Sequence, residues 1–148
     1  MRNETIDSKQ MMTRFMEACR DAGVRVTPQR IEIFRELMGL DTHPDTETVH
    51  RRVRKKMPSI SLDTVYRTLG LLEEKKLISR VGSLPGPARY EANPDPHHHF
   101  VCTSCGSVAD VSSEAVGKLH VTDKVLPGCS VKSIHVEIRG LCSRCAHK

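Results

Sequence analysis

Residues 61–92 read SLDTVYRTLGLLEEKKLISRVGSLPGPARYEA. The first part predicts a helix to about residue 75, because a serine, a frequent N-cap residue, precedes apolar residues at helical spacing. These apolar residues are Val65, Leu69 and Leu72. Two strand-like runs follow, residues 77–81 and 88–92, and the Gly- and Pro-rich turn segment 82–87 separates them. The stretch therefore predicts a helix followed by a β-hairpin.

Three further helices are predicted before this stretch. Residues 9–22 carry apolar residues at helical spacing, and Thr27-Pro28 favours a helix start, with threonine as N-cap and proline at the first helical position. Asp45 or Thr46 is expected to cap the next helix, which has a basic face. The residues of that face are Arg51, Arg52, Arg54, Lys55 and Lys56. Three or four helices followed by a hairpin outline a winged helix; the alternative is another small helical domain with a hairpin appended.

A hinge and a second domain are predicted after residue 92. The segment Asn93-Pro94-Asp95-Pro96 cannot form regular structure, because proline lacks a backbone donor and restricts the residue before it. Strands are expected around residues 100–102 and 107–111, and a last strand over the alternating residues 134–139. Between them a helix is expected from about Ser113 until Pro127-Gly128 breaks it. The predicted class is α+β. Its parts are a winged helix in residues 1–92, a hinge in residues 93–96 and a small α/β domain in residues 97–148.

Charge and composition narrow the class of protein. The 148 residues carry a net charge of +5, of which residues 1–92 contribute +4 (17 Lys and Arg, 13 Asp and Glu) and residues 93–148 contribute +1 (6 and 5). Positive charge in the first half suits a nucleic-acid-binding surface. No apolar run is long enough for a signal peptide or a membrane span, so we expect a cytoplasmic protein without a membrane partner.

The cysteine spacing is the strongest chemical signal in the chain. Cys102-Thr-Ser-Cys105 and Cys142-Ser-Arg-Cys145 form a CxxC…CxxC pair with 36 residues between. Each CxxC turn can aim two thiolates at one point, and two turns complete the tetrahedral sulfur shell of a structural Zn²⁺. The alternatives are four free thiols or a thioredoxin-like redox pair. Cys19 and Cys129 lack partners at a useful spacing and are predicted to be packing residues.

A second metal site is predicted at His97-His98-His99. In an extended chain alternate residues point the same way, so His97 and His99 form a pair and His98 faces the other side. Two imidazoles suit several first-row metals, and the nearby carboxylates of Glu91 and Asp110 would favour iron or manganese. The alternative is a solvated histidine cluster.

Taken together, these motifs resemble the ferric uptake regulator family of bacterial metal-sensing repressors, over about residues 15–145. The residues that carry the resemblance are Gly23–Arg30, His43-Pro44, Ser61–Leu69, Arg89-Tyr90-Glu91, His97–His99 and the two CxxC pairs. The resemblance implies a metal-dependent transcriptional repressor rather than an enzyme. The alternatives are a metalloenzyme that holds iron with His97, His99 and a carboxylate, and a zinc-stabilised architectural DNA-binding protein without a sensing role. Residues 1–92 would bind an AT-rich inverted-repeat operator in double-stranded DNA, and residues 97–148 would form the homodimer.

The family's functional residues can be placed on matching positions of this sequence. The implied DNA-binding residues are Arg30, Ser61, Thr64, Tyr66 and Arg67. Arg30 and the basic third helix would contact phosphates, and Arg67 would reach a phosphate or a base edge. The ring of Tyr66 would contact thymine methyl groups in the major groove; its alternative is a half-buried core position. The implied ligands of the regulatory metal, Fe²⁺ or Mn²⁺ with Zn²⁺ as the alternative, are His43, Glu91, His97, His99 and Asp110.

The resemblance also indicates a branch of the family. Iron sensors often carry a further metal site. Only one of its ligand positions holds a possible ligand here, His98, which stands where an Asp is usual. The other ligand positions are occupied by Pro96, Gly117 and Ile134. This favours the peroxide-sensing branch, in which Fe²⁺ and peroxide oxidise a ligand histidine, His43 or His97. That branch typically has Asp at the position of Glu91, so an iron- or zinc-responsive uptake regulator is the alternative. No role is assigned to His98, His120 or His135.

Overall fold

The computed structural model describes residues 7–38, 43–82, 84–93, 95–122 and 124–148. The helices are α1 (Ser8–Asp21), α2 (Pro28–Met38), α3 (Thr46–Val53), α4 (Leu62–Glu74), α5 (Ser113–Val116) and α6 (Ser143–Ala146). The strands are β1 (Ser79–Val81), β2 (Arg89–Glu91), β3 (His98–Cys102), β4 (Val108–Val111) and β5 (Glu137–Gly140). This combination confirms the α+β class. None of the described helices is long and apolar enough to cross a membrane.

Two compact units make up the chain. The first unit is Met1–Val81 with Pro87–Pro94, and the second unit is Gly82–Gly86 with Asp95–Lys148. The chain changes unit between residues 81 and 82, again between residues 86 and 87, and a last time within the segment 93–96, of which Pro94 lies outside the described residues.

The first unit is a winged helix, as predicted: helices α1–α4 followed by the antiparallel hairpin β1–β2, in which Ser79 pairs with Glu91. Three side-chain caps fix where its helices begin. The Thr27 hydroxyl accepts from the Arg30 N–H at 3.3 Å, and the Ser61 hydroxyl accepts from the Thr64 N–H at 3.0 Å. Asp45, rather than Thr46, caps α3 by accepting from a backbone N–H at 2.8 Å. The basic residues Arg54, Lys55 and Lys56 follow the end of α3.

A single apolar core holds the helices of this unit together. Its fully buried side chains come from α2, α3 and α4: Ile33, Val49, Val53, Val65, Leu69 and Leu72. The rings of Phe15 and Phe34 stack with centroids 3.7 Å apart, which joins α1 to α2. Because one face of α4 fills this core, its opposite face is presented outward, and Tyr66 on that face is 52% exposed.

Replacing Leu69 by alanine is expected to lower the free energy of unfolding of the first unit by about 2–5 kcal/mol, the cost of emptying a buried leucine site. Leu69 is completely buried, whereas Leu71 on the same helix is only partly buried. Leu71→Ala is therefore the matched control and should cost much less. Urea unfolding followed by circular dichroism measures both; equal losses would contradict the assignment of the core face of α4.

The second unit is a three-stranded sheet in the order β4-β3-β5. Strand β3 pairs antiparallel with β4, placing His99 opposite Asp110, and parallel with β5, placing His99 opposite Glu137. Among the described residues of this unit, the buried hydrophobic side chains are Val101, Cys102 and Val108. A core of this size contributes little stability, so the unit needs a further stabilising element such as a bound metal ion or a partner chain.

Three expectations for the second half and the cysteines are wrong in detail. The helix from Ser113 ends already at Val116, and Gly117 follows with φ 78°. None of its residues is buried, and a helix without tertiary packing does not extend. The last strand begins at Glu137, three residues later than predicted, because its pairing with β3 starts there. Cys19 is buried as predicted, but Cys129 is exposed and fills no core.

Candidate metal centres

The four cysteines of the CxxC pairs lie together in the second unit. Cys102 ends β3, Cys105 follows in a turn, Cys142 caps α6 and Cys145 lies within it. Their four sulfur atoms all lie within 4.8 Å of one another, and the Sγ atoms of Cys105 and Cys142 are 3.8 Å apart. A tetrahedral Zn²⁺ with Zn–S bonds of about 2.3 Å requires sulfurs about 3.8 Å apart. The cluster therefore fits a structural zinc ion, with no coordination position left open.

Local hydrogen bonds prepare this cluster for a metal. Hydrogen bonds from the backbone N–H groups of Cys105 and Cys142 lower the pKa of Cys102 to about 6. The backbone nitrogen of Cys142 lies 3.4 Å from the Sγ atom of Cys102. The Ser104 side chain acts to lower the pKa of Cys145, but hydrogen bonding with Cys142 and burial outweigh it and raise that pKa to about 11. The thiolate of Cys102 is thus available at neutral pH, whereas zinc binding must release the proton of Cys145.

A pair of metal-ligating side chains, which we call the first half-site, lies in the first unit. The Nε2 atom of His43 is 3.0 Å from a carboxylate oxygen of Glu91, and His43 is buried. Backbone pairing sets this distance: the Tyr90 N–H donates to the Pro44 carbonyl at 3.0 Å, and Arg89 forms a β-bridge with the residue after Pro44. The Arg89 guanidinium also donates to the His43 carbonyl at 3.0 Å. Sequence reasoning missed this supporting role of Arg89.

A trio of side chains, the second half-site, lies in the second unit. The Nε2 atoms of His97 and His99 are 3.0 Å apart, and the Oδ1 atom of Asp110 is 3.4 Å and 3.5 Å from them. Ligands about 2.1 Å from a metal lie about 3.0 Å apart at a right angle and about 3.4 Å apart at the tetrahedral angle. The spacing of the trio therefore fits a transition metal ion.

The tautomer of His97 fits the same interpretation. Its Nδ1 atom lies 2.6 Å from the Asp95 carbonyl oxygen. A carbonyl oxygen only accepts, so Nδ1 of His97 carries a proton, and Nε2 is the atom that would bind a metal.

One neighbour of the second half-site was not foreseen. The Nε2 atom of His135 lies 3.1 Å from the Nδ1 atom of His99. Thirty-six residues separate the two histidines, so their spacing in the sequence gives no sign of the contact. The alternation of residues 134–139 was the available signal, since it placed His135 near a strand.

Three of the residues expected to contact DNA lie together in the first unit. Arg30, Thr64 and Arg67 line a cleft of about 360 Å³ between the start of α2 and α4. The Arg67 side chain is 81% exposed and pairs with Asp63 at 2.9 Å. Since Tyr66 is also exposed, the alternative of a half-buried core position is wrong.

Other expected contacts are already engaged within the protein. The Arg30 guanidinium donates to the Arg25 carbonyl at 2.7 Å, and the Ser61 hydroxyl caps α4. Lys56 pairs with Glu32 at 2.7 Å and with Glu36 at 3.1 Å. A phosphate would have to compete for Lys56 with two carboxylates.

Comparison with known proteins agrees with the family resemblance of the sequence motifs. The model of the ferric uptake regulator family matches residues 21–139. The peroxide-responsive repressor PerR of Staphylococcus aureus (strain USA300) is 28% identical over 129 residues, 87% of either chain. A solved zinc-bound manganese uptake regulator is 31% identical with a TM-score of 0.64, covering 86% of this chain and 98% of that one. The Helicobacter pylori ferric uptake regulator Fur shares the fold, with 24% identity, a TM-score of 0.74 and coverage of 94% and 93%.

Proposed function

This chain belongs to the ferric uptake regulator family, and from that membership we propose a metal-dependent transcriptional repressor of the peroxide-sensing type. It would bind AT-rich inverted repeats in double-stranded DNA as a homodimer, and metal binding would raise its affinity for DNA. The observation that carries the proposal is the second half-site, where two imidazole nitrogens and a carboxylate converge at metal-ligand spacing.

One ion is proposed to draw on both half-sites, with His43, Glu91, His97, His99 and Asp110 as its ligands. Three imidazoles and two carboxylates suit Fe²⁺ or Mn²⁺, because oxygen ligands favour the harder metals, with Zn²⁺ as the alternative. An ion bound by both domains would fix the angle between them. In a two-fold dimer that angle sets the distance between the recognition helices, which must match half-sites about one helical turn apart or a multiple of it. Metal would thereby favour the DNA-binding geometry.

The peroxide response is proposed to act on the same ligands. With Fe²⁺ bound, His43 or His97 would take up one oxygen atom of peroxide, and the other oxygen would leave as water. This two-electron oxidation of the ring balances the reduction of peroxide, and the oxidised histidine would no longer bind the metal. The similarity to the repressor PerR supports this type. Glu91 supports the alternative, an iron- or zinc-responsive uptake regulator without peroxide sensing. Its extra methylene, compared with the Asp typical of the peroxide branch, alters how the carboxylate can bind and how much room peroxide has.

The homodimer is proposed to form through the second unit. Large apolar side chains are exposed there: Leu119, Val121, Val125, Leu126, Val131, Ile134, Ile138 and Leu141. A partner that covers this surface would contribute the apolar burial that the small core of the unit lacks.

Tyr66 and Arg67 should affect DNA binding in different ways. Tyr66→Ala is expected to cost about 1–3 kcal/mol of operator affinity and to relax the sequence preference, because it removes a contact with bases. Arg67→Ala should weaken binding to all sequences alike and lower the slope of log affinity against log salt by about 1, as a phosphate contact does. Titrations of an operator and a scrambled duplex at several salt concentrations measure both.

The control for these variants is Arg144→Ala, which removes an exposed arginine from α6 in the other unit. It should change neither quantity. If Tyr66→Ala left the ratio of operator to scrambled affinity unchanged, α4 would not be the element that reads bases.

The test of the function as a whole is an anaerobic titration of AT-rich inverted-repeat DNA with Fe²⁺, Mn²⁺, Zn²⁺ or no added metal. It is repeated after a brief dose of hydrogen peroxide, with mass spectrometry of the protein. We expect metal to raise affinity at least tenfold, which requires only about 1.4 kcal/mol of preference between states. We expect peroxide to abolish binding with Fe²⁺ but not with Mn²⁺, as His43 or His97 gains oxygen.

Two other outcomes would redirect the interpretation. Binding that needs metal but is indifferent to peroxide would identify the uptake-regulator alternative. DNA binding that occurs with only the four-cysteine zinc present and does not change when metal is added would contradict the proposed metal-dependent switch. The chain would then be a DNA-binding protein without a sensing role.

A further inference from the structure

We propose that His135 is a positioning residue for the regulatory metal. Its Nε2 atom accepts a hydrogen bond from the Nδ1–H group of His99, at the observed 3.1 Å, and keeps His99 in the tautomer that can bind metal through Nε2. The inference rests on the proposed function, because it takes His99 as a metal ligand.

The two ring nitrogens of His99 face different partners. The Nε2 atom is 3.0 Å from Nε2 of His97 and 3.5 Å from Oδ1 of Asp110, so it faces the donor atoms of the second half-site. The Nδ1 atom faces His135. Because the lone pairs of an imidazole diverge, His135 cannot reach an ion bound at Nε2 of His99, and the geometry makes it a neighbour of a ligand rather than a ligand.

A histidine that ligates through Nε2 carries its proton on Nδ1, and that N–H needs an acceptor. Carboxylates, backbone carbonyls or water usually fill this role and fix the orientation of the ring. Here the acceptor is a second imidazole. The centroids of the two rings are 4.9 Å apart at an interplanar angle of 53°, so the rings are tilted and not stacked face to face. His135 is exposed, so its own Nδ1–H can donate to water.

The position of His135 is set by the residue that follows it. The Val136 carbonyl accepts from the His99 N–H at 3.1 Å, and the Val136 N–H donates to the Nδ1 atom of His98 at 3.0 Å. An imidazole whose Nδ1 atom accepts carries its proton on Nε2. In this orientation the buried ring of His98 serves as an anchor for the segment. The middle histidine of the run thus holds in place the segment that carries His135.

The test compares His135→Leu with His135→Gln on the full-length, zinc-loaded protein without DNA. Co²⁺ is the probe, and its absorption spectrum reports binding to the regulatory site. We expect the leucine variant to bind Co²⁺ about 10–100-fold more weakly, as loss of a ligand's hydrogen-bond partner typically does. The glutamine variant should stay within about threefold of the wild type, because its amide oxygen can accept from His99. His120→Leu, which removes another exposed histidine, should bind like the wild type.

A second measurement needs no variant. In ¹⁵N-labelled wild type that carries only the structural zinc, with no metal at the regulatory site, long-range ¹H–¹⁵N correlations should show the proton of His99 on Nδ1 and that of His98 on Nε2. This readout also decides the matter if the leucine variant fails to fold.

The outcomes separate the two proposals. Wild-type protein that binds no Co²⁺ beyond the structural site would overturn the proposed function and this inference with it. Wild-type binding that His135→Leu leaves unchanged, or a proton on Nε2 of His99 when the regulatory site holds no metal, would overturn the role of His135 alone.

Discussion

Cys142→Ser is expected to remove the structural zinc and to unfold the second unit, while the helices of the first unit remain. Two valines and Cys102 are the buried hydrophobic residues among those described in the second unit. Zinc binding to small structural sites contributes about 10–16 kcal/mol, whereas a whole domain is stable by only about 5–15 kcal/mol. Loss of the ion therefore exceeds what the remaining core can offset.

Zinc content by mass spectrometry and thermal unfolding by circular dichroism measure this effect. We expect the bound zinc to be lost together with the unfolding transition of the second unit. Cys129→Ser is the matched control, because Cys129 is an exposed cysteine outside the cluster; it should keep both the zinc and the transition. A Cys142→Ser protein that retained zinc and both transitions would show that the four thiolates do not support the fold.

His97→Ala is expected to abolish the response of DNA binding to metal. The change removes one of the two Nε2 atoms of the second half-site and leaves a single imidazole beside Asp110. Loss of a ligand should weaken metal binding by more than the roughly 10–100-fold that loss of a ligand's neighbour costs. Operator affinity with added Mn²⁺ should therefore fall to that of the metal-free protein.

The measurement is the Mn²⁺ dependence of operator binding, together with the zinc content of the same preparations. Zinc content should be unchanged, since the cysteine cluster does not include His97. His147→Ala, an exposed histidine in the same unit, should respond to Mn²⁺ like the wild type. A normal Mn²⁺ response in His97→Ala would exclude this residue from the regulatory site.

Features with a local physical cause could be predicted from the sequence. Thr27, Asp45 and Ser61 cap helices because an oxygen-bearing side chain one turn before an apolar stripe satisfies free backbone N–H groups. The zinc site could be predicted from the two CxxC pairs for a similar reason, because the geometry of each turn depends on four consecutive residues. The pairing of His97 with His99 depends only on the alternation of an extended chain.

Features that depend on distant contacts could not be predicted. The helix from Ser113 stops after four residues because it lacks a packing partner, and the start of β5 is set by its pairing with β3. The contact between His135 and His99 depends on that same pairing, through Val136. Nothing in the residues near position 135 indicates which strand will lie beside it.

The position of the zinc ligands along the chain determines when, during translation, the second unit can bind zinc. The last segment of the winged helix is Pro87–Pro94, whereas the final zinc ligand is Cys145. A ribosome adds about 5–20 residues per second, so the roughly 50 residues between them take about 3–10 s. During that interval the winged helix has its complete sequence, while the second unit cannot yet enclose its zinc. Each new chain would therefore carry the complete sequence of its proposed DNA-binding unit for several seconds before its second unit could enclose zinc.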